Sequence, residues 1–518
     1  MKNKLLAGTA SVLVLAATAM PALADDDDRI SALEARIEQL EQTNAQLLQY
    51  LEALTAENGI VVETEVETEL HHGEVHEERR VVVAIDTEGG AGATAQVHVI
   101  DNAGSGGLVG LNSEYSYAVL DHAEGSNTRQ LTQLRAMQDG QLNNRVTFGG
   151  AITALANYQE SNSDTKFGWL MRHPTSANQI GEEVSELVVH SAQLQTTARF
   201  TDNITGFVEL LYNPEQSFGS GTLTDLNRNQ VQVRRAYVLW GNLDESPWYG
   251  AIGKMDTPFG LNDTVSPFTN STVWHSFAGL AYGGTVGYSA DGLHVRAMAI
   301  QGGAQFRAAN TPVEGTNVPS RVNNFAVDAN YTGDLGVDSE FMLGASYQHG
   351  SPYCQAYPVF HFNPCEENNP AYSVYGRLDL GALRLLGEYA RTTDEWPGSA
   401  VPIPSNPLSV FEAVETTSWG FGGRYAIDTG RDEPFYLSAE FSTFIAGDEG
   451  APWERQNQWV LGGSYFVTPS VNVFGELIRT EGWVPLNFLS GGNLPDGSSW
   501  SESDAETNVI TLGIQAAF

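Results

Sequence analysis

Six arginines, Arg199, Arg234, Arg296, Arg377, Arg384 and Arg424, fall in strand-like runs of alternating apolar and polar residues. Five carboxylates, Glu209, Asp379, Glu388, Glu440 and Glu476, are placed in the same way. In an extended chain successive side chains point to opposite faces, so a period of two separates an apolar face from a polar one. Leu194, Thr196, Ala198 and Phe200 then oppose Gln193, Gln195 and Arg199. Likewise Trp419, Phe421, Gly423 and Tyr425 oppose Arg424, and Leu437, Ala439 and Phe441 oppose Ser438, Glu440 and Ser442. Fixed charges on a wet face can attract, repel or bind ions without any covalent step. The bases weight the earlier runs and the acids the later ones, so two opposed walls could set a transverse field. Local pairing is the alternative, because Arg384 and Glu388 lie on one strand face, as do Arg377 and Asp379.

Other chemistry has less support. His72, Glu74, His76 and Glu78 alternate and could share a face, but the spacing is not that of a zinc protease. A solvated strand edge explains them, and no metal or cofactor is required. No Gly-x-Ser-x-Gly elbow occurs, so an enzyme is not expected. Cys354 and Cys365 are the two cysteines, and in a secreted chain they are expected to close one loop with a disulfide.

The elements that carry these charges are short and numerous. From Arg145 onward, long connections fall near 160–187, 214–229, 256–279, 303–323, 351–370, 394–417, 445–456 and 483–505. Short ones fall at Asp202, 244–247, Asp291, 334–338, Ala382, 429–434 and 468–470. Eight long and seven short connections predict sixteen strands, an even number, as in bacterial outer-membrane barrels. The final run, Ile510, Leu512, Ile514, Ala516 and Phe518, is apolar at every second residue. Its terminal aromatic resembles the signal by which outer-membrane barrels engage their assembly machinery. The fold class is therefore all-β: a 16-stranded antiparallel transmembrane barrel over residues 145–518, bounded by lipid and lipopolysaccharide. A barrel of that size leaves an aqueous channel.

The region before it divides in three. Residues 1–24 read as a secretory signal peptide, with Lys2 and Lys4, an apolar stretch and the Ala22-Leu23-Ala24 site. Residues 29–57 carry heptads, with Ile30, Ile37, Asn44 and Leu51 at a and Leu33, Leu40, Leu47 and Leu54 at d. This pattern predicts a parallel periplasmic coiled coil whose register Asn44 fixes. The heptad rule favours two strands and the barrel size favours three, and a homotrimer is the expected assembly. Residues 60–144 read as a periplasmic stalk, Val/Glu-alternating and then Gly-rich, with a short helix at 127–138.

Net charge is −37, which speaks to solubility in salt more than to fold and leaves no basic patch for nucleic acid. The 53 glycines suit turns and close strand packing.

Arg235-Ala-Tyr-Val-Leu-Trp-Gly-Asn-Leu, followed by Trp248-Tyr-Gly-Ala-Ile-Gly-Lys-Met-Asp-Thr-Pro-Phe-Gly260, resembles the legiobactin-receptor-like siderophore porins. The heptads, Gln138-Asp-Gly140 and Val146-Thr-Phe-Gly-Gly are similar to that family too. Lys254 replaces a more usual arginine, keeping charge but losing the planar fork. The resemblance implies an outer-membrane pore for small solutes, ferric siderophores among them. Anion- or phosphate-selective and general porins share such strands, and a structural anchor for the coiled coil is a further alternative. It also implies that loop 256–279, starting at Pro258, Phe259 and Gly260, folds inward as an eyelet with Lys254 at its base. Arg199, Arg234 and Arg296 would then line one wall of the constriction.

Overall fold

The computed structural model describes residues 60–71, 74–85, 107–121, 125–162, 168–171, 182–213, 217–218, 224–225, 230–302, 321–354, 367–396, 413–431, 433–449, 454–482 and 505–518. The chain divides into two units at Asn102. The leader, the heptads with Asn44, and His72 lie outside the described residues. In the first unit, β1 (Ile60–His71) pairs antiparallel with β2 (Glu74–Ile85), from Ile60↔Ile85 to His71↔Glu74. The Val/Glu alternation read as an extended stalk thus folds back on itself.

The second unit begins with β3 (Val109–Leu111), α1 (Ser113–Ala118), a 3-10 turn at Ser126–Thr128 and α2 (Arg129–Gln138). Then come β4 (Val146–Ser161), β5 (Glu183–Arg199), β6 (Ile204–Asn213), and a two-stranded side hairpin of β7 (Ser217–Phe218) and β8 (Thr224–Asp225). The wall continues with β9 (Gln230–Gly241), β10 (Trp248–Asp256), β11 (Leu280–Ala290), β12 (Leu293–Gly302), β13 (Arg321–Gly336) and β14 (Ser339–Gln348). Between β10 and β11 lies α3 (Thr272–Phe277). The last strands are β15 (Ala371–Leu380), β16 (Leu383–Glu395), β17 (Glu415–Ile427), β18 (Phe435–Ile445), β19 (Arg455–Thr468), β20 (Val471–Gly482) and β21 (Ala505–Ala517).

Sixteen of these strands pair antiparallel with their neighbours in a closed barrel, as the count of connections predicts. The seam joins β21 to β4 from Thr507↔Ser161 to Ala517↔Ala151, and Gly150 and Phe518 exchange backbone hydrogen bonds beyond it. Closure leaves the wall without a free edge, the condition for placing strands in lipid. Leu194, Phe421, Leu461 and Leu512 are exposed on the outer face, whereas Gln193, Gln195, Glu440 and Ser442 are buried on the inner one. Short turns sit at one rim. Asp291 and Gly292, both at positive φ, make the two-residue link between β11 and β12.

One expectation is overturned. The stretch before the barrel, read as part of a periplasmic stalk, occupies the lumen over its described residues from 107 to 145. Tyr115 Oη and Thr197 Oγ1 are 3.0 Å apart, Tyr117 Oη donates to Gln515 Oε1, and Gln133 Nε2 donates to Thr205 Oγ1. Asn112 caps α1 by accepting from Tyr115 N at 2.9 Å. The helix expected at 127–138 forms as α2, and its Leu134 packs with Val119 and Leu142 against Phe207, Leu239, Met255, Met298 and Ile300 of the inner wall. A wall that meets lipid outside and a packed segment inside is apolar on both faces. An exposed Leu134 would instead forgo about 1.5–3 kcal/mol of burial energy.

Candidate functional site

The inner surface has two charged regions. On the early wall, Arg235 is buried between three carboxylates: its Nη1 lies 2.7 Å from Asp121 Oδ1 and 2.9 Å from Glu209 Oε2. Its Nε and Nη2 grip Asp256 at 2.7 Å each. Arg129, from α2, adds a 3.0 Å pair to Asp256 and donates to the carbonyls of Val119 and Leu120. Arg234 lies beside Arg235 at a register shift between β6 and β9, which turns both side chains inward. It reaches Asp121 at 3.4 Å. Arg296 pairs with Asp328 at 2.7 Å and donates to Asn127 O at 2.6 Å. These arginines tie the luminal segment to the wall. Burial pushes the Tyr115 phenol above its usual range, so it stays a neutral hydroxyl.

On the later wall three buried glutamates meet N–H and O–H donors of a loop in place of guanidinium groups. Residues 257–279 turn into the barrel, and three glutamates on alternate strands hold their backbone. Glu388 accepts from Leu261 N at 3.0 Å and Asn262 N at 2.9 Å. Glu440 accepts from Val265 N at 3.0 Å and Thr264 Oγ1 at 2.6 Å. Glu476 accepts from Phe268 N at 2.7 Å, Thr269 N at 3.0 Å and Thr269 Oγ1 at 2.5 Å. The loop therefore runs around the inner circumference, one carboxylate for every three or four residues. Gly260, at φ +70, must be glycine, because a Cβ there would stand 2.1 Å from Glu388 Oε1. Beyond it α3 buries Val273 and Phe277 with Phe259, Tyr353, Trp396 and Phe444. The two regions meet where Asn127 Nδ2 donates to Gly260 O at 2.6 Å.

Two cavities remain beside this junction. The larger, about 790 Å3, opens between α2 and the short-turn rim, lined by Arg135, Arg377, Asp244, Asp263, Asp291 and Glu340 among others. The smaller, about 290 Å3, is lined by Arg424, Tyr436, Ser464, Asn472 and Gln515, and shares Asp263 with the first. Such surfaces can bind and order small polar solutes. Among the described residues no group of His, Cys, Asp and Glu is arranged to hold a metal ion.

Several expected positions differ. Lys254 is not inside: it shares the phase of exposed Trp248 and Ile252, donates to Val233 O and lies 6.0 Å over the Tyr282 ring. Arg199 is inward but sits at the short-turn rim, bonded to Leu142 O and Asp202, not at the inward loop. Arg377 and Arg384 converge on Asp379 at 2.8 and 2.5 Å, and Arg377 also meets Glu340, so Arg384 pairs with Asp379 and not with Glu388. Arg424 stacks over Tyr436 at 5.1 Å. With bases paired locally and acids holding a loop, the transverse-field reading has no pair of opposed walls to rest on. Arg129, Asp121, Arg235, Asp256 and Asp328 are not among the charged positions that the alternation singles out. Arg235 follows another arginine, and the register shift that turns both inward leaves no mark in the alternation. Cys354 is disulfide-bonded, while Cys365 lies outside the described residues.

The sequence profile of the Gram-negative porins matches residues 136–482. No curated protein sequence matches the chain. Among solved structures, it is similar to the anion-selective porin from Comamonas acidovorans, with 12% identity, 72% of this chain and 99% of that one covered, and a TM-score of 0.43. The outer membrane channel DcaP of Acinetobacter baumannii gives 14% identity, 72% and 97% coverage and a TM-score of 0.43. Pseudomonas putida OprB gives 10%, 76%, 97% and 0.44. The family comprises outer-membrane channels without enzymatic activity, which accords with the closed barrel and its charged interior. Because the profile spans more than half of its length, this chain belongs to the Gram-negative porin family.

Proposed function

We propose that the chain passes small polar solutes by passive diffusion, and that the larger cavity is the vestibule through which they reach the periplasm. The supporting observation is the charge of that cavity. Asp244, Glu245, Asp263, Asp291 and Glu340 outnumber Arg135, Arg296 and Arg377 along its lining, and Arg296 is already matched by Asp328. Fixed acids at a pore mouth raise the local concentration of cations. The channel thus prefers cations, and ferric siderophores, suggested by the Trp248–Gly260 motif, are the first larger solutes to test. The heptads of residues 29–57 support a homo-oligomer, with three copies fitting a barrel of this size, and the alternation ending at Phe518 supports engagement of the barrel-assembly machinery.

The test is reversal potential in a salt gradient across a planar bilayer. Wild-type protein should conduct with a cation preference, and Asp244→Asn with Asp291→Asn should lessen it. The loss should be larger in dilute salt, because the screening length grows from about 8 Å at physiological ionic strength to about 30 Å at 0.01 M. A barrel that refolds but never conducts would instead be an anchor. An anion preference would overturn the vestibule reading.

A further inference from the structure

The two cavities beside the inward loop differ in chemistry. The larger is edged mainly by carboxylates. The smaller, about 290 Å3, lies between α1, the loop and β17–β21, and its charged lining among the described residues is one acid, Asp263, and one base, Arg424. Asp263 accepts from Gly125 N and Thr264 N, and Arg424 lies over the Tyr436 ring. Charge is thus balanced and engaged on both sides.

The uncharged polar groups of this lining are less well served. Asn262, Ser266 and Asn472 are each more than nine-tenths buried, yet Asn262 Oδ1, Ser266 Oγ and Asn472 Oδ1 have no hydrogen-bond partner among the described residues. A buried polar atom left unpaired costs about 1–3 kcal/mol, so three around one cavity point to donors that come from outside the chain. Asn262 is also held in place. It stands at φ +54, its N donates to Glu388 Oε2 at 2.9 Å and its Nδ2 to Phe259 O at 2.5 Å. A group fixed in this way loses little freedom when a ligand donates to it.

Aromatic rings complete the lining. Tyr436 and Phe466 lie near the short-turn ends of β18 and β19. The Phe466 ring meets Tyr117 of α1 edge-on at 5.3 Å and Tyr436 at 6.4 Å. Rings on a wet inner face set an apolar surface beside hydrogen-bonding groups. We propose that this cavity binds a neutral, polyhydroxylated solute of monosaccharide size. Its hydroxyls donate to the two amide oxygens and bond to Ser266, while its C–H face lies against the rings. Balanced charge favours such a solute over an ion. The volume is at the small end of the ~300–1,000 Å3 usual for small-molecule pockets, which suits one sugar ring. The inference rests on the passage of small polar solutes proposed above only for how the ligand arrives, and binding is read on the closed barrel whether or not it conducts.

Saturation-transfer NMR on the purified full-length protein tests it, with heat-modifiability confirming a closed barrel in each variant. D-glucose, D-glucosamine and D-glucuronate offer one ring in neutral, cationic and anionic form. Glucose should show saturable transfer, strongest at its ring C–H protons, and bind at least as tightly as either charged ring. Asn472→Leu and Phe466→Leu should each weaken it by about tenfold, whereas Phe466→Tyr, which keeps the ring, should retain it. Asn472 Oδ1 has no hydrogen bond to lose, so that variant should still close, and Ser266→Ala carries the same test if it does not. Transfer that never saturates, glucose binding unchanged in Asn472→Leu and Phe466→Leu, or tighter binding of either charged ring would overturn the proposal. So would a loss in Phe466→Tyr as large as in Phe466→Leu. A barrel that binds glucose as expected but does not conduct would overturn the passage reading and uphold the binding site.

Discussion

On β6, β10 and β13 the carboxylates Glu209, Asp256 and Asp328 meet arginines; on β16, β18 and β20 the buried carboxylates Glu388, Glu440 and Glu476 meet backbone N–H groups. The early wall holds a segment by its side chains, so Arg129, Asp121 and Asn127 must be those residues. The later wall holds a loop by its main chain, which every residue but proline supplies. One arrangement specifies sequence and the other specifies a path. Away from Gly260, from the hydroxyls of Thr264 and Thr269 and from the packed Phe259, a loop held by its amides can change its side chains, and with them what it presents to solute, while keeping its course.

The strongest way to break this contrast is Arg235→Ala. It removes the cation shared by Asp121, Glu209 and Asp256, leaving Asp121 to Arg234 at 3.4 Å and Asp256 to Arg129, and losing one partner of a buried ion pair destabilises by about 3–5 kcal/mol. Urea unfolding in lipid should show a loss of that order, and a loss below about 1 kcal/mol would mean that water replaces the guanidinium. Glu476→Gln should have a smaller effect. One of its oxygens becomes an NH2 group facing the donors of Thr269, so about 1–3 kcal/mol is expected, with faster proteolysis of the loop. Glu440→Gln sharpens the comparison. Glu440 Oε1 is buried with no hydrogen-bond partner, so an amide there leaves the bonds to Thr264 and Val265 intact through the other oxygen. A change below about 1 kcal/mol is expected, and an effect as large as that of Glu476→Gln would show that the charge matters more than the acceptor. The smallest effect belongs to Asp379→Asn, which loosens the half-exposed Arg377–Asp379–Arg384 cluster. Stability should fall by about 0–1 kcal/mol, and the difference should shrink in salt.

The wall was legible in the sequence and much of its filling was not. Strand number, connection lengths and the outward series Leu194–Phe200 follow from alternation, which lipid enforces wherever the inner face is wet. That rule loses its contrast where the luminal segment packs: Phe207 and Leu211 are buried inward while Val208 and Leu210 are exposed outward, so β6 is apolar on both sides. Lys254 was misassigned in the same neighbourhood, beside inward Met255. Residues 107–145 misled for a related reason. Gln133 and Tyr115 look suited to water, and only the inward Thr205, Tyr237 and Thr197 supply their partners. Glu388, Glu440 and Glu476 are buried and bonded to the inward loop, and a strand pattern cannot reveal that a distant loop donates to them.

The seam between β4 and β21 constrains the order of events during biogenesis. Ala151 meets Ala517, so the ring closes only after nearly all of the wall has been laid down, and the entropy of so long a closure grows logarithmically with chain length. Residues 107–145 precede β4 and end up inside that ring. Asp256, the partner of Arg129, lies on the fifth strand of the wall, so the segment can be captured while the sheet is still an open, curling ribbon. Its docking onto β5, β6, β9 and β10 then gives the growing sheet a concave template before the last strand arrives. Closure is expected to be the slow step, and a chain lacking residues 107–140 should close later, or close and reopen, even though every strand of its wall is present.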